Sequence, residues 1–138
     1  MSIMIQKRLF NVEEYYKMGE VGILAENDRT ELINGEIIIK MSPINRPHAY
    51  IIDVLMEILV IDLRFRAHVS VQSPIYLSEY SMPQPDLYIA KYQKDKYRNG
   101  HPTAEDILLI VEVSDSTLKF DQTVKQKLYA KAGIPEYL

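Results

Sequence analysis

The chain contains no cysteine, so disulfides, thiolate nucleophiles and cysteine-ligated zinc are all excluded. Histidine is scarce as well: three residues, scattered at positions 48, 68 and 101. A metal site would therefore fall to oxygen ligands, which points to Mg²⁺, Mn²⁺ or Ca²⁺ rather than zinc. Long apolar runs are missing. Met1 to Phe10 lacks the continuous apolar stretch of a secretory signal. The most apolar segment, Ala49 to Leu63, is interrupted by Asp53, Glu57 and Asp62, so it is not a membrane span. The expectation is a cytoplasmic protein away from membranes. Excess positive charge is absent too, the formal net charge being −3 and the pI about 5.6. Such a balance argues against coating nucleic acid by bulk electrostatics, which needs many phosphate-neutralising cations, but it leaves room for a local basic patch. Lys91, Lys94, Lys96 and Arg98 form one cluster, and Lys119, Lys125, Lys127 and Lys131 another. Each is equally well read as a solvated surface.

What is present fits one ordinary globular domain. The 138 residues, 47% apolar and 25% charged, suffice for a single core without staples. Asn11 is placed to cap a helix over Val12 to Met18, with Glu13 and Glu14 in its first turn. Thr30 to Ile39 reads as a hairpin, Asn34-Gly35 supplying the turn. A helix is predicted from about His48 to Phe65, apolar on more than one face and so suited to a sheet and to a second surface. Val69 to Leu77 reads as a strand with Pro74 marking an edge or bulge, Asp86 to Ala90 as a short strand, and Ile107 to Val113 as a strand buried on both faces. A last helix runs from about Gln122 to Ala132, with Asp121 at its start and Gly133 and Pro135 at its end. Strands framed by helices predict an α/β (α+β) domain with one central sheet.

Glu112 is the residue most in need of explanation. An acid inside an apolar strand is costly unless paired, hydrogen-bonded or bound to metal; with Val111 and Val113 as neighbours it projects on the opposite face. An ion pair with a lysine or arginine would satisfy it as well as a cation would. Asp86, behind Pro85, is ordinary turn chemistry by itself, yet one strand away from Glu112 the two carboxylates could converge on one ion. On the last helix, Val124, Leu128 and Ala132 define an apolar stripe, and Lys125 lies about 60° from its centre, flanking the core side. Asp121, one turn earlier, could orient it; Lys127 and Lys131 sit on the other flank.

Taken together, Pro85-Asp86, Glu112-Val113-Ser114-Asp115-Ser116-Thr117 and Asp121-x-x-x-Lys125-x-x-x-Tyr129 resemble the putative restriction endonuclease family within the PD-(D/E)XK superfamily. Glu31-Leu32-Ile33-Asn34-Gly35-Glu36, Ser42-Pro43 with His48, Gln72-Ser73-Pro74-Ile75, His101-Pro102 and Ala132-Gly133-Ile134-Pro135-Glu136-Tyr137 resemble it as well. The resemblance implies a restriction-endonuclease-like mixed central sheet flanked by helices, with Asp86 and Glu112 as ligands of Mg²⁺ or Mn²⁺ and DNA as substrate. In the superfamily a lysine usually stands two residues after the glutamate, where this chain has Ser114; Lys125 is the matching residue on the following helix. Glu31 is similar to an extra acid beside the metal, and His48, Gln72, Ser114, Asp121 and Tyr129 are accessory candidates. The family pattern normally continues past Glu136-Tyr137 into a tryptophan and a further strand. Ending at Leu138 leads to the expectation of a single shortened domain, 1–138, with a sheet edge or core face that a homodimer could cover. The competing expectation is a degenerate module without catalysis.

Overall fold

The computed structural model describes residues 4–40, 45–113 and 121–138, without the side chains of residues 121 and 122. Helix α1, Val12–Glu20, begins where Asn11 accepts from the Glu14 amide while the Glu14 side chain accepts from the Asn11 amide. This reciprocal capping box satisfies two otherwise orphaned donors. Strands β1, Thr30–Ile33, and β2, Glu36–Ile39, pair antiparallel. The turn between them has Asn34 at φ 50° and Gly35 at φ 81°, the left-handed pair that a type I′ turn demands.

Helix α2, Arg46–Asp62, starts two residues ahead of the expected His48, with Asn45 as cap and Pro47 in its first turn, where a missing N–H costs nothing. Strands β3, Ala67–Val71, β4, Leu87–Lys91, and β5, Ile107–Val111, form an antiparallel sheet in the order β3-β4-β5. A fourth, parallel partner comes from the chain end. The Ile110 amide donates to Glu136 O, the Leu138 amide to Ile110 O and the Glu112 amide to Leu138 O. The sheet is thereby mixed, as the resemblance implies. β3 is shorter than expected because the chain leaves the ladder at Gln72, at φ 50°, ahead of Pro74.

Period two then builds the layers. Leu87, Ile89 and Val111 face Leu55 and Leu59 of α2 and Leu63, which caps it. Tyr88, Ala90, Ile107 and Ile110 face Tyr129 and Leu128 on the other side. Those two residues lie on helix α3, Gln126–Lys131, which continues directly from a π-helical turn, Asp121–Lys125. The hairpin is tied to this sandwich by the Leu32–Met82 bridge, the Met82 amide donating to Leu32 O at 2.7 Å. Val12 of α1 packs with Leu32 and Met82 in a third apolar cluster. Among the described residues no helix is long and apolar enough to cross a membrane.

Candidate active site

Four elements deliver side chains to one place. Alternation along β1 sends Leu32 toward α1 and Glu31 to the opposite side. Asp86 immediately precedes β4 and Glu112 immediately follows β5, and these two strands are adjacent and antiparallel. Their carboxylates therefore emerge at the same end of the sheet. Val111 and Val113 pack toward α2, so Glu112 projects toward the layer that holds Lys125 and Tyr129.

Lys125 is completely buried. Its Nζ donates to Glu31 Oε1 at 2.6 Å and to Glu112 Oε1 at 3.1 Å, while the Tyr129 hydroxyl donates to the same Glu112 oxygen at 3.0 Å. Burial pushes the Glu112 carboxyl up to about 7, against the pull of Lys125 and with repulsion from Asp86 and Glu31 added. For Lys125 burial acts to lower the pKa, but the carboxylates of Glu112 and Glu31 outweigh it and hold the ammonium above its ordinary range. Burial, then Glu112, drives the Tyr129 phenol well above its usual value.

A regular α-helix would place Lys125 on a flank of the helix. The wide π turn instead brings it and Tyr129 inward together, while Val124, Leu128 and Ala132 of the expected stripe are only partly buried. Lys127 and Lys131 are exposed and stay out of the cluster. Ser114 and the Ser42-Pro43 pair lie outside the described residues, as does the side chain of Asp121.

Asp86 is buried beside this cluster. Its Oδ2 accepts from the Val113 amide at 2.7 Å and its Oδ1 meets His48 Nε2, on α2, at 3.1 Å. Gln72, at the end of β3, donates its amide to Asp86 O at 2.9 Å. Gln84 ties the set together: its amide donates to Glu31 Oε1 and its side chain to Gln72 O, both at 2.8 Å. A cavity of about 130 Å³ opens here, lined by Arg29, Thr30, Glu31, Lys40, Gln72, Gln84 and Asp86. Arg29, Lys40 and Gln84 were not singled out by sequence reasoning. Only the setting of Gln84, between two prolines ahead of Asp86, hints at a constrained backbone; nothing local marks the two cations.

The family model for Uma2, described as putative restriction endonuclease, matches residues 12–138. The chain belongs to the Uma2 family. Among solved structures it is similar to a putative nuclease belonging to DUF820 from Anabaena variabilis, with a TM-score of 0.58 at 16% identity. That match covers 85% of this chain and 66% of the other, so the chain spans just under two thirds of its structural relative. None of the curated proteins compared matches it. Uma2 membership and the shared fold fit the α+β sandwich described above and place the chain among restriction-endonuclease-like proteins. The acids and the lysine that carried the sequence resemblance, Asp86, Glu112, Lys125 and Glu31, occupy one continuous buried cluster.

The donor set is hard oxygen throughout, and the buried Oε2 of Glu31 has no hydrogen-bond partner among the described residues; Lys40 Nζ lies 3.9 Å from it. Among those residues no three of histidine, aspartate and glutamate gather closely enough to cage an ion by themselves. These oxygens suit a hard divalent cation that keeps several waters and uses one or two carboxylates. They do not fit an all-protein cage.

Proposed function

We propose that the chain is a metal-dependent endonuclease that hydrolyses DNA phosphodiester bonds. The observation that carries this reading is the buried Glu31–Lys125–Glu112 cluster beside Asp86 at one end of a mixed sheet. Two carboxylates sharing one buried lysine are costly to assemble, and hydrolysis of an anionic ester is chemistry that uses such an arrangement. Asp86 and Glu112 would hold Mg²⁺ or Mn²⁺. Bound there, the ion supplies a water of lowered pKa and neutralises charge on the phosphate.

The remaining work falls to the chain. Lys125 stays an ammonium, so it serves as a donor and a fixed positive charge for the developing phosphate charge, not as a base. Tyr129 and Lys125 together fix Glu112, and the Val113 amide and His48 fix Asp86. Lys40 and Arg29 bring positive charge to the cavity wall, where the other charged side chains, Glu31 and Asp86, are acids.

The test is a calorimetric titration of Mn²⁺ into wild type and Asp86→Ala, paired with cleavage of supercoiled plasmid. Binding and nicking by wild type, both lost in the variant, are expected. A folded wild type that takes up no Mn²⁺ would sink the proposal.

A second reading, a module acting through self-association, has one observation in its favour. Ile51, Val54, Ile58 and Ile61 are exposed on the outer face of α2, at alternating three- and four-residue spacing. That is the seam two helices use to pack on each other, and a two-fold axis lays the patch on its own copy. A second copy is therefore the proposed occupant. Tyr50, also exposed, extends the patch toward the roughly 800 Å² that each partner gives to a stable interface. Association and catalysis are compatible, and the Mn²⁺ titration separates them.

A further inference from the structure

A second cavity, of about 360 Å³, lies at the far end of the sheet, lined among others by Arg64, Phe65, His68, Tyr92, Gln93 and Lys96. Its volume is that of a small-ligand pocket. Asp86 precedes β4 and Tyr92 follows it, so the cavity stands roughly 20 Å from the carboxylates at about 3.4 Å per strand residue. Nothing in the proposed hydrolysis uses it.

Three features mark it as built for a ligand. First, it exposes aromatic surface: Phe65 is 71% and Tyr92 45% exposed, and their rings meet at 82° with centroids 6.5 Å apart. They form a right-angled corner in which one ring offers a face and the other a wall. His68 continues the aromatic lining, 5.3 Å from the Tyr97 ring. Second, the corner is cationic. The Arg64 guanidinium lies 5.3 Å from the Phe65 ring centroid, and Lys96 comes from the loop that also carries Lys94 and Arg98. Third, the backbone is strained here. Phe65, Lys96 and Tyr97 have φ of 62°, 57° and 60°, three of the five non-glycine residues in the left-handed region among those described. Bulky side chains seldom adopt that region, and such strain collects at ligand clamps.

We infer that this cavity seats an unpaired nucleobase of single-stranded nucleic acid, stacked in the Phe65–Tyr92 corner with its phosphate on Arg64 and Lys96. An aromatic platform framed by cations is how single strands are held without sequence preference; a base paired inside a duplex could not enter. The choice of nucleic acid rests on the nuclease reading. The seat would anchor a strand several nucleotides from the bond to be cut, so cleavage would favour DNA with an unpaired stretch beside a duplex.

The experiment uses fluorescein-labelled dT12 and a duplex of equal length, followed by anisotropy in EDTA so that no cleavage occurs. Phe65→Ala with Tyr92→Ala is expected to weaken dT12 binding about tenfold or more and to leave duplex binding nearly unchanged, whereas the single variant Tyr92→Phe, which keeps both rings, should bind dT12 as wild type does. Lys96→Ala should lower the salt slope by about one. Because both aromatics are exposed, the double variant should fold, which circular dichroism verifies. Unchanged dT12 affinity in the double variant overturns the proposal. So does a variant whose sedimentation shifts while its dT12 affinity holds, since that assigns the corner to a protein interface. Plasmid cleavage by wild type is read separately: aromatic-dependent dT12 binding without cleavage leaves this seat standing and the nuclease reading fallen, and cleavage with aromatic-independent binding does the reverse.

Discussion

Lys125 neutralises two acids that reach it from positions 31 and 112, so its removal should be felt differently at different pH. In Lys125→Met at pH 8 the two buried acids lose the cation they share, and a loss of about 3–5 kcal/mol is expected. At pH 5 the loss should be smaller, since Glu112, pushed up to about 7, is then protonated. Urea denaturation of both proteins at the two pH values measures the difference. The sign for Glu112 itself follows from the same shift. Its folded-state pKa lies above the ordinary 4.5, so the folded chain keeps a proton that the unfolded chain has released. This group therefore costs stability as pH rises through 4.5 to about 7. A cation that uses Glu112 must displace that proton. Mn²⁺ affinity should rise from pH 6 to pH 8, with proton uptake by buffer visible as a dependence of the calorimetric heat on buffer ionisation enthalpy; an affinity independent of pH with a heat independent of buffer would show that binding displaces no proton from Glu112.

Among the elements, those whose signals are local could be read from the sequence. Asn34-Gly35 announced its hairpin, Asn11 its helix, and the apolar runs of β4 and β5 their burial, because turn chemistry, capping and period two act within a few residues. Gly35 makes the point testable. It sits at φ 81°, and a Cβ built there would lie 2.7 Å from Leu9 Cβ. Gly35→Ala should cost about 1–3 kcal/mol, read as a lower melting temperature, whereas Gly19→Ala, which meets nothing within 4 Å, should be close to neutral. The π turn was not legible. Residues 121–132 carry a plausible helical stripe at 100° per residue, and only tertiary packing of Lys125 and Tyr129 against Glu112 reveals that the first turn is wider. Strand β3 was overrun for a related reason, since Gln72 leaves the ladder by a backbone twist that its side chain does not announce.

For the whole molecule, the class of fold followed from the order of elements, while the assembly of the site did not. Lys125 and Glu31 are 94 positions apart, and their meeting depends on the hairpin docking through Met82, a contact without a local signature. Physical reasoning alone singled out Glu112, as an acid in an apolar strand, and set Asp86 and the lysines of the last helix beside it; the resemblance to a family chose Lys125 among those lysines and added Glu31. The surplus apolar face of α2 was visible in its periodicity, and its consequence is quantitative. If a second copy covers it, Ile58→Glu with Ile61→Glu should shift sedimentation from dimer to monomer at micromolar concentration, with the Mn²⁺ isotherm unchanged. A wild type that sediments as a monomer at every concentration removes the self-association reading.

The bond from the Val113 amide to Asp86 Oδ2 has a use of its own. At 2.7 Å that proton reports directly on the Asp86 carboxylate, so its nitrogen–proton resonance is a built-in electrode for the site. Whatever approaches Asp86, an ion or a phosphate, should move that one peak, and its movement can be followed without any knowledge of the substrate.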